Sequence, residues 1–198
     1  LFIVAIALSG CCGNCDGANA GVFVVSTEGR AWTNYARTGL RTYQYASGNL
    51  TMVAEYAVPV SSLETYTENC IVNPRCGECC DIHQGEALFI SLISNAGSPV
   101  FNITMRADFI NYVPSTKPDD SGDILEISAN NKLTGRWRFP DPAMEPAVTI
   151  DGRTFTDVLV VEDNTITDPA EIAAFYVTQK EGIVGFKYGD GEAWARVP

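Results

Sequence analysis

The sequence predicts a mainly β protein, either an antiparallel sandwich or one strongly curved sheet, with at most one or two short helices. Short runs in which apolar and polar residues alternate recur along the chain, as in strands with one buried face. Turn residues separate these runs, and the chain has one good helix start. Its 198 residues, 46% of them hydrophobic, are enough to bury a core, so we expect a single β-rich domain over residues 22–198.

The clearest alternation lies in the middle of the chain. Phe101, Ile103 and Met105 alternate with polar residues, and Trp137 and Phe139 alternate with arginines. Residues two apart share one face of a strand, so these apolar sets are predicted to face the core. The same pattern predicts strands over residues 22–26, 40–46, 51–56, 87–94, 123–129 and 154–162.

Turn and helix signals fill the carboxy-terminal half. Asp151-Gly152 and Asp190-Gly191 each lie between β-prone runs, and both pairs can adopt the left-handed dihedrals of a tight hairpin. Asp168-Pro169-Ala170-Glu171 combines an N-cap, a proline at the first helical position and a carboxylate at the third. We expect a few helical turns or less there, because Phe175-Tyr176-Val177 favours a strand. Residues 114–122 are predicted to be a linker or loop.

The amino terminus has the features of an export signal. Residues 1–8 are all apolar, but the run is far shorter than the ~20 residues that span a bilayer. Leu8-Ser9-Gly10-Cys11 follows and resembles the bacterial lipobox, an aliphatic residue and two small ones before a cysteine. The resemblance implies that Cys11 is acylated and that residues 1–10 are the remnant of a cleaved signal peptide. Two or three acyl chains hold a protein firmly to a membrane.

Residues 11–21 are mostly small or polar, which is typical of a flexible tether. In lipoprotein sorting, an aspartate directly after the lipidated cysteine favours retention in the inner membrane. Cys12 has that position here, so the resemblance implies an outer-membrane or cell-surface location with the lipid bilayer as a partner. The alternatives are an ordinary secretory signal cut after Ala18 or Ala20, or a buried first strand.

Motifs near the carboxy terminus support an envelope location. They lie in residues 152–158, at Phe175-Tyr176, in residues 181–188 and at Trp194. Together they resemble the closing segment of small uncharacterised lipoproteins of Bacteroidota-type bacteria. The resemblance implies a location in the cell envelope and brings no activity with it.

The cysteines predict disulfides. Without the lipidated Cys11, six remain, an even number suited to an oxidising compartment: Cys12, Cys15, Cys70, Cys76, Cys79 and Cys80. Their connectivity stays open. The alternative is a zinc site, because Cys76 and Cys79 have zinc-knuckle spacing and lie near His83. Behind an export signal we favour disulfides, since free thiolates rarely survive there.

Charge and motifs exclude several functions. The net charge of −11 opposes binding to phosphate backbones, so we expect no nucleic-acid partner. No cofactor is predicted, because the glycines at 182 and 185 fit neither phosphate-binding pattern. Asp119, Asp120 and Asp123 are weak candidates for calcium ligands, because their spacing departs from the EF-hand.

No catalytic residue is predicted. His83 is the one histidine, and no nucleophile motif accompanies it. Acids such as Asp123 and Glu162 would suit a glycosidase only if they lay about 5–9 Å apart in a cleft. Aromatic residues of the first third would bind sugars or proteins if exposed, and would otherwise pack in the core. They are Trp32, Tyr35, Tyr43, Tyr45, Tyr56 and Tyr66.

Three functions are therefore compatible with the sequence. The first is a lipid-anchored, non-enzymatic envelope protein that acts as a binding, assembly or structural module, with a protein or glycan partner. The second is a surface protein that binds or hydrolyses glycans through acidic loops and exposed aromatic residues. The third is a subunit of an extracellular filament that shares strands with its neighbours.

Overall fold

The computed structural model describes residues 22–33, 42–73, 77–107, 122–139 and 142–197, with the backbone alone at residues 42, 43, 66–73 and 77–83. Within these residues the chain forms thirteen strands and one short helix. They are β1 (Val22–Phe23), α1 (Thr27–Ala31), β2 (Thr42–Ser47), β3 (Leu50–Tyr56), β4 (Val60–Asn73), β5 (Gly77–Ser94), β6 (Val100–Ala107), β7 (Asp123–Ala129), β8 (Leu133–Arg138), β9 (Glu145–Ile150), β10 (Arg153–Glu162), β11 (Ile172–Thr178), β12 (Gly182–Tyr188) and β13 (Ala193–Arg196). The predicted fold class is confirmed.

The strands belong to one sheet, which curls into a half-barrel. Its order is β8-β7-β6-β5-β3-β2-β13-β12-β11-β10-β9, while β4 and β1 both pair with β5. All pairs are antiparallel except that of β1 with β5. The early and late strands are joined where β2 pairs with β13, with Ala46 opposite Ala195 and Tyr45 opposite Arg196. Of the two predicted architectures, the curved sheet is therefore the one that forms.

Aromatic side chains fill the inside of the curl. The ring centroid of Phe101 on β6 lies 5.8 Å from that of Phe175 on β11 and 5.7 Å from that of Phe186 on β12. Phe186 also contacts Tyr45 at 5.6 Å and Trp194 at 6.3 Å. Strands β2, β13 and β12 are near neighbours in the sheet order, whereas four strands separate β6 from β12 and five separate β6 from β11. The contacts of Phe101 therefore hold the sheet in its curved shape.

Strand β8, at one end of the sheet, packs against β10 and β11. A Cβ atom at Gly135 would lie 2.2 Å from Cγ2 of Val161 on β10, so this close approach requires a glycine. Beside it, the ring of Trp137 lies 6.5 Å from the ring of Phe175 on β11. This packing closes the curl from the side of β8.

Two buried tyrosines bind the backbone of Ile183 on β12. The hydroxyl of Tyr45 donates a hydrogen bond of 2.7 Å to the carbonyl of Ile183, and the hydroxyl of Tyr56 accepts one of 2.9 Å from its N–H. Both tyrosines are almost fully buried. They therefore satisfy two backbone groups that water does not reach.

The predicted helix start at residues 168–171 is wrong. The side-chain Oδ1 of Asp168 accepts a hydrogen bond of 2.9 Å from the N–H of Ala170, and its carbonyl accepts one of 3.0 Å from the N–H of Glu171. These bonds form a turn, and β11 begins directly after it at Ile172. Asp and Pro favour turns as well as helix starts, and the apolar run that follows forms a strand instead of a helix.

The predicted strand over residues 22–26 is only partly right. Strand β1 ends at Phe23, and Ser26 instead caps α1, because its hydroxyl accepts a hydrogen bond of 3.0 Å from the N–H of Gly29. Serine is among the preferred N-cap residues, but a carboxylate at N3, which would complete a capping box, is lacking here. This helix was not predicted from the sequence.

Both predicted hairpins form, although their turns differ. Asp151 (φ 43°) and Gly152 (φ 75°) are left-handed, as expected for a two-residue turn. At the second hairpin the N–H of Tyr188 donates to the carbonyl of Glu192, so the loop has three residues, of which Gly191 (φ 94°) is left-handed. The expectation of a tight two-residue turn at Asp190-Gly191 is therefore corrected.

Replacing Tyr56 by Phe should lower the free energy of unfolding by about 1–3 kcal/mol, because the N–H of Ile183 would stay buried without that acceptor. Tyr176→Phe is the matched control, since no hydrogen-bond partner for this half-buried hydroxyl lies among the described residues. Urea denaturation followed by tryptophan fluorescence measures both variants. Equal losses of stability would contradict the role given to the Tyr56 hydroxyl.

Candidate functional site

Two carboxylates hold α1 and the residues before it against the sheet. Asp123, at the start of β7, is 3% exposed, and its Oδ2 accepts hydrogen bonds from the N–H of Ser26 at 3.0 Å and from the Ser26 hydroxyl. Glu86 on β5 accepts a bond of 3.1 Å from the N–H of Val25 and pairs with Arg30. Charged hydrogen bonds of this kind are directional, so they fix the position of a helix too short to be stable alone.

A glycine allows this close docking. A Cβ atom at Gly29 would lie 2.2 Å from Oδ2 of Asp123, so any larger residue would push α1 away from the carboxylate. Trp32 ends the helix and packs its ring 5.5 Å from that of Phe139, which follows β8. Docking of α1 thus brings Glu28 and Trp32 next to the end of β8.

Strand β10 bends at Asp157. It pairs with β9 from Arg153 to Val158, and from Leu159 onward it pairs with β11. Asp157 has a left-handed φ of 54°, and the register places Pro146, which has no N–H, opposite it. Val158 and Leu159 are both fully buried, so the alternation of exposed and buried residues breaks at the same point. Aspartate tolerates this conformation better than most residues do.

The bend turns the β9–β10 hairpin over the outer face of the sheet. Ile150 packs there with Val184 and Ala195, forming a small second core. A Cβ atom at Gly185 would lie 2.8 Å from Cδ1 of Ile150, so glycine makes room for the hairpin. In the turn of this hairpin, the side-chain Oδ2 of Asp151 accepts a hydrogen bond of 3.2 Å from the N–H of Gly48.

A groove of about 540 Å³ opens where β10 leaves β11. Residues 154–157 of β10 form one wall, and residues 178–181, at the end of β11 and in the turn after it, form the opposite wall. Trp32 and Phe139 belong to the lining and are buried, whereas Met144 is 45% exposed. Glu28 of α1 completes the rim. The volume is within the range of small-molecule and peptide sites, and the lining mixes apolar groups with hydroxyls and charges.

Sequence reasoning missed this groove. Thr154-Phe155-Thr156-Asp157 reads as an ordinary strand, and Asp157 gives no sign of its left-handed backbone. The one available signal is the pair of adjacent apolar residues Val158 and Leu159, which interrupts the alternation. On its own such a pair does not identify a bend.

The predicted anchor and disulfides fall largely outside the described residues. Cys11, Cys12, Cys15 and Cys76 lie outside them altogether, whereas Cys70, Cys79 and Cys80 are described by backbone alone, in β4 and β5. The acylation of Cys11 and the disulfides therefore stay predictions. In the part of the chain that the structure describes, no helix is long and apolar enough to span a membrane.

The calcium candidates are also only partly described. Asp119 and Asp120 lie outside the described residues, and the buried Asp123 binds Ser26. Over the described ranges, no group of three or more His, Cys, Asp or Glu side chains is placed to hold a metal ion. The zinc alternative depends on Cys76 and on the side chain of His83, which lie outside the description.

The structure does not give the acids considered for catalysis a common environment. Asp123 is buried beside α1, whereas Glu162 is exposed at the end of β10. Of the aromatic residues considered for surface binding, Trp32, Tyr45 and Tyr56 belong to the core. The side chains of the other three are not described. Of the aromatic residues that line the groove, Trp32 and Phe139 are buried and Phe155 is half-buried.

Comparisons of the chain with protein-family models, with curated proteins and with solved structures found no match. The groove, its charges and the bend at Asp157 are thus the observations on which a function can be argued.

The stability of the protein should depend on pH through Asp123. Burial raises the pKa of this carboxyl above its ordinary value, and the hydrogen bonds from Ser26 offset the increase only in part. At a pH between the ordinary pKa and the raised pKa, the folded protein therefore holds a proton on Asp123 that the unfolded chain has released. The contribution of Asp123 to the free energy of unfolding is therefore greatest below about pH 3.9 and declines as pH rises through the raised pKa.

Urea denaturation across this pH range gives the free energy of unfolding of the wild type and of Asp123→Asn. The difference between the two free energies, plotted against pH, measures the contribution of Asp123. Asp163→Asn is the control with the opposite sign, because hydrogen bonds from the Thr165 hydroxyl and N–H lower the pKa of Asp163. Its contribution should decline as pH falls. A difference for Asp123→Asn that grows with rising pH would refute the assignment.

The bend in β10 should depend on the residue at position 157. Asp157→Val should lower the free energy of unfolding by about 1–3 kcal/mol, because a β-branched residue is strained at a left-handed φ. Asp157→Asn should be nearly neutral, since asparagine also tolerates that region. Thr156→Val, at an exposed neighbouring position, controls for the added apolar group. Calorimetry compares the three, and a stable Asp157→Val variant would show that the bend is not strained.

Proposed function

We propose that this protein is a lipid-anchored, non-enzymatic binding module of the bacterial cell envelope, held at the outer membrane or cell surface through Cys11. Its partner binds in the groove between β10 and the turn after β11. The observation that carries the proposal is the groove itself, formed where β10 bends away at Asp157. A non-glycine residue held at a left-handed φ on the rim of a groove is a common feature of functional sites.

The side chains of the groove support binding more than catalysis. Thr154 and Thr156 offer hydroxyls, and Phe155 and Met144 offer apolar surface. The carboxylate of Glu181 lies 3.5 Å from the guanidinium of Arg196, so it forms an ion pair within the protein. Such a lining offers contacts to a ligand, without an activated nucleophile beside a base.

The anchor is supported by the lipobox resemblance at Leu8-Ser9-Gly10-Cys11 and by the tether that follows it. The first described residue, Val22, comes eleven positions after Cys11. A tether of that length reaches at most about 40 Å when fully extended. The proposed anchor would therefore keep the groove close to the membrane surface.

A filament subunit is the second candidate, and strand β4 favours it. Among the described residues, β4 pairs with β5 alone, so the other edge of a fourteen-residue strand has no partner there. Long unpaired edges are the usual template for strand sharing. Light scattering on the purified protein distinguishes the candidates, because a strand-sharing subunit forms concentration-dependent oligomers and a binding module stays monomeric. The glycan alternative stays a prediction.

The proposed anchor predicts that Cys11→Ser abolishes acylation and moves the protein from the membrane fraction to the soluble fraction. Cys12→Ser is the matched control, since it changes the adjacent thiol and leaves the lipobox intact. Intact-mass measurement and detergent phase partition in a bacterial host read out both variants. An unmodified wild-type chain that still carries residues 1–10 would refute the anchor.

A further inference from the structure

The edge of β10 along the groove is an unpaired strand edge. Ile150 and Arg153 flank a two-residue turn and form a hydrogen-bonded pair, so the backbone groups of Thr154 and Thr156 point away from β9. Within the described part of the chain these groups have no backbone partner, because β11 joins β10 only from Leu159 onward. An extended peptide could therefore add as a strand here.

The charge of the groove favours a cationic ligand. Its lining contains the carboxylates of Glu28, Asp157 and Glu181 and the ammonium group of Lys180. Arg196 balances Glu181, but neither Glu28 nor Asp157 has an ion-pair partner among the described residues. The lining thus includes two carboxylates without an ion-pair partner and one lysine, in a protein whose net charge is −11. Opposite charges across an interface guide the partner and fix its register.

The apolar part of the groove suits the side chains of lysine and arginine. Met144 is 45% exposed and Phe155 is half-buried, so both offer apolar surface at the groove. Long cationic side chains pack their methylene stems on such surfaces and extend the charged group to nearby acceptors. Hydrogen bonds from these groups to carboxylates are stronger than neutral ones.

We propose that the groove binds an extended, lysine- or arginine-containing segment of a protein partner, which adds as a strand to residues 154–157 of β10. Its cationic groups contact Glu28 and Asp157. This inference rests on the proposed function, because it takes the groove as the binding site and identifies the chemistry of the partner.

The test uses the full chain and three labelled pools of acetylated, amidated heptapeptides. Alternate positions carry lysine or arginine in the basic pool, glutamine in the second and glutamate in the third, with alanine, valine, serine and threonine elsewhere. Fluorescence anisotropy should show that the basic pool binds, the glutamine pool binds more weakly and the glutamate pool does not bind. Binding of the basic pool should weaken as salt is added.

Variants of the groove locate the bound peptide. Glu28→Gln and Asp157→Asn should each weaken binding of the basic pool about two- to fivefold, and Lys180→Gln should strengthen it. Glu162→Gln, an exposed carboxylate on the other half of β10, should change nothing. Methylating the backbone amides of the peptides at alternate positions should abolish binding, because strand addition needs those N–H groups.

Two kinds of failure can be told apart. The inference is overturned if the basic pool does not bind, or if neither Glu28→Gln nor Asp157→Asn changes the affinity for the basic pool. The inference is also overturned if a neutral probe, either the glutamine pool or a neutral oligosaccharide, binds more tightly than the basic pool. If Met144→Trp abolishes the binding of that neutral probe, the groove is still the binding site. If every probe binds to the Met144→Trp variant as tightly as to the wild type, the groove is not the binding site, and the proposed function is refuted together with this inference.

Discussion

Phe186 lies where the two halves of the curled sheet meet, and its ring contacts rings from β2, β6 and β13. A sheet that remained open would leave these aromatic residues in water. Burial of large apolar side chains is the dominant favourable term in folding, so the curl follows from the need to cover them from both sides. The close packing of β8 on β10 at Gly135 completes that cover. Other features of the fold are adjustments to this curvature.

The groove is one of these adjustments. The second half of β10 takes part in the main core through Leu159, whereas its first half belongs to a hairpin that lies on the outer face. One strand can contribute to both the main core and the outer face only if it changes direction. The left-handed backbone of Asp157 provides that change of direction. The gap left beside β11 becomes the groove, and α1 reaches its rim because Asp123 and Glu86 bind the segment around Ser26. The main core thus determines where the groove lies.

The sequence predicts those parts of this structure that depend on local pattern. The alternation of Phe101, Ile103 and Met105 predicts β6, and Asp151-Gly152 predicts its hairpin, because side-chain period and turn dihedrals are local properties. Asp168 fails as a helix start because the same side chain also stabilises a turn. The groove could not be predicted, because it needs contacts between α1, β10 and the turn after β11, which lie far apart in the chain. No local rule specifies such contacts.

The pairing of β2 with β13 has a consequence for the order in which the fold is completed. Ala46 and Ala195 are 149 positions apart in the sequence, and two residue pairs join the early strands to the late ones. A chain that is synthesised from its amino end therefore carries the edge of β2 without its partner until β13 has emerged. Contacts between distant parts of the sequence slow folding, since the entropy of closing the long intervening loop is lost before the contact forms. Closure of this sheet is thus a late event, and until then the aromatic side chains around Phe186 lack their cover. Apolar surface exposed in this way is what makes folding intermediates prone to aggregate in general.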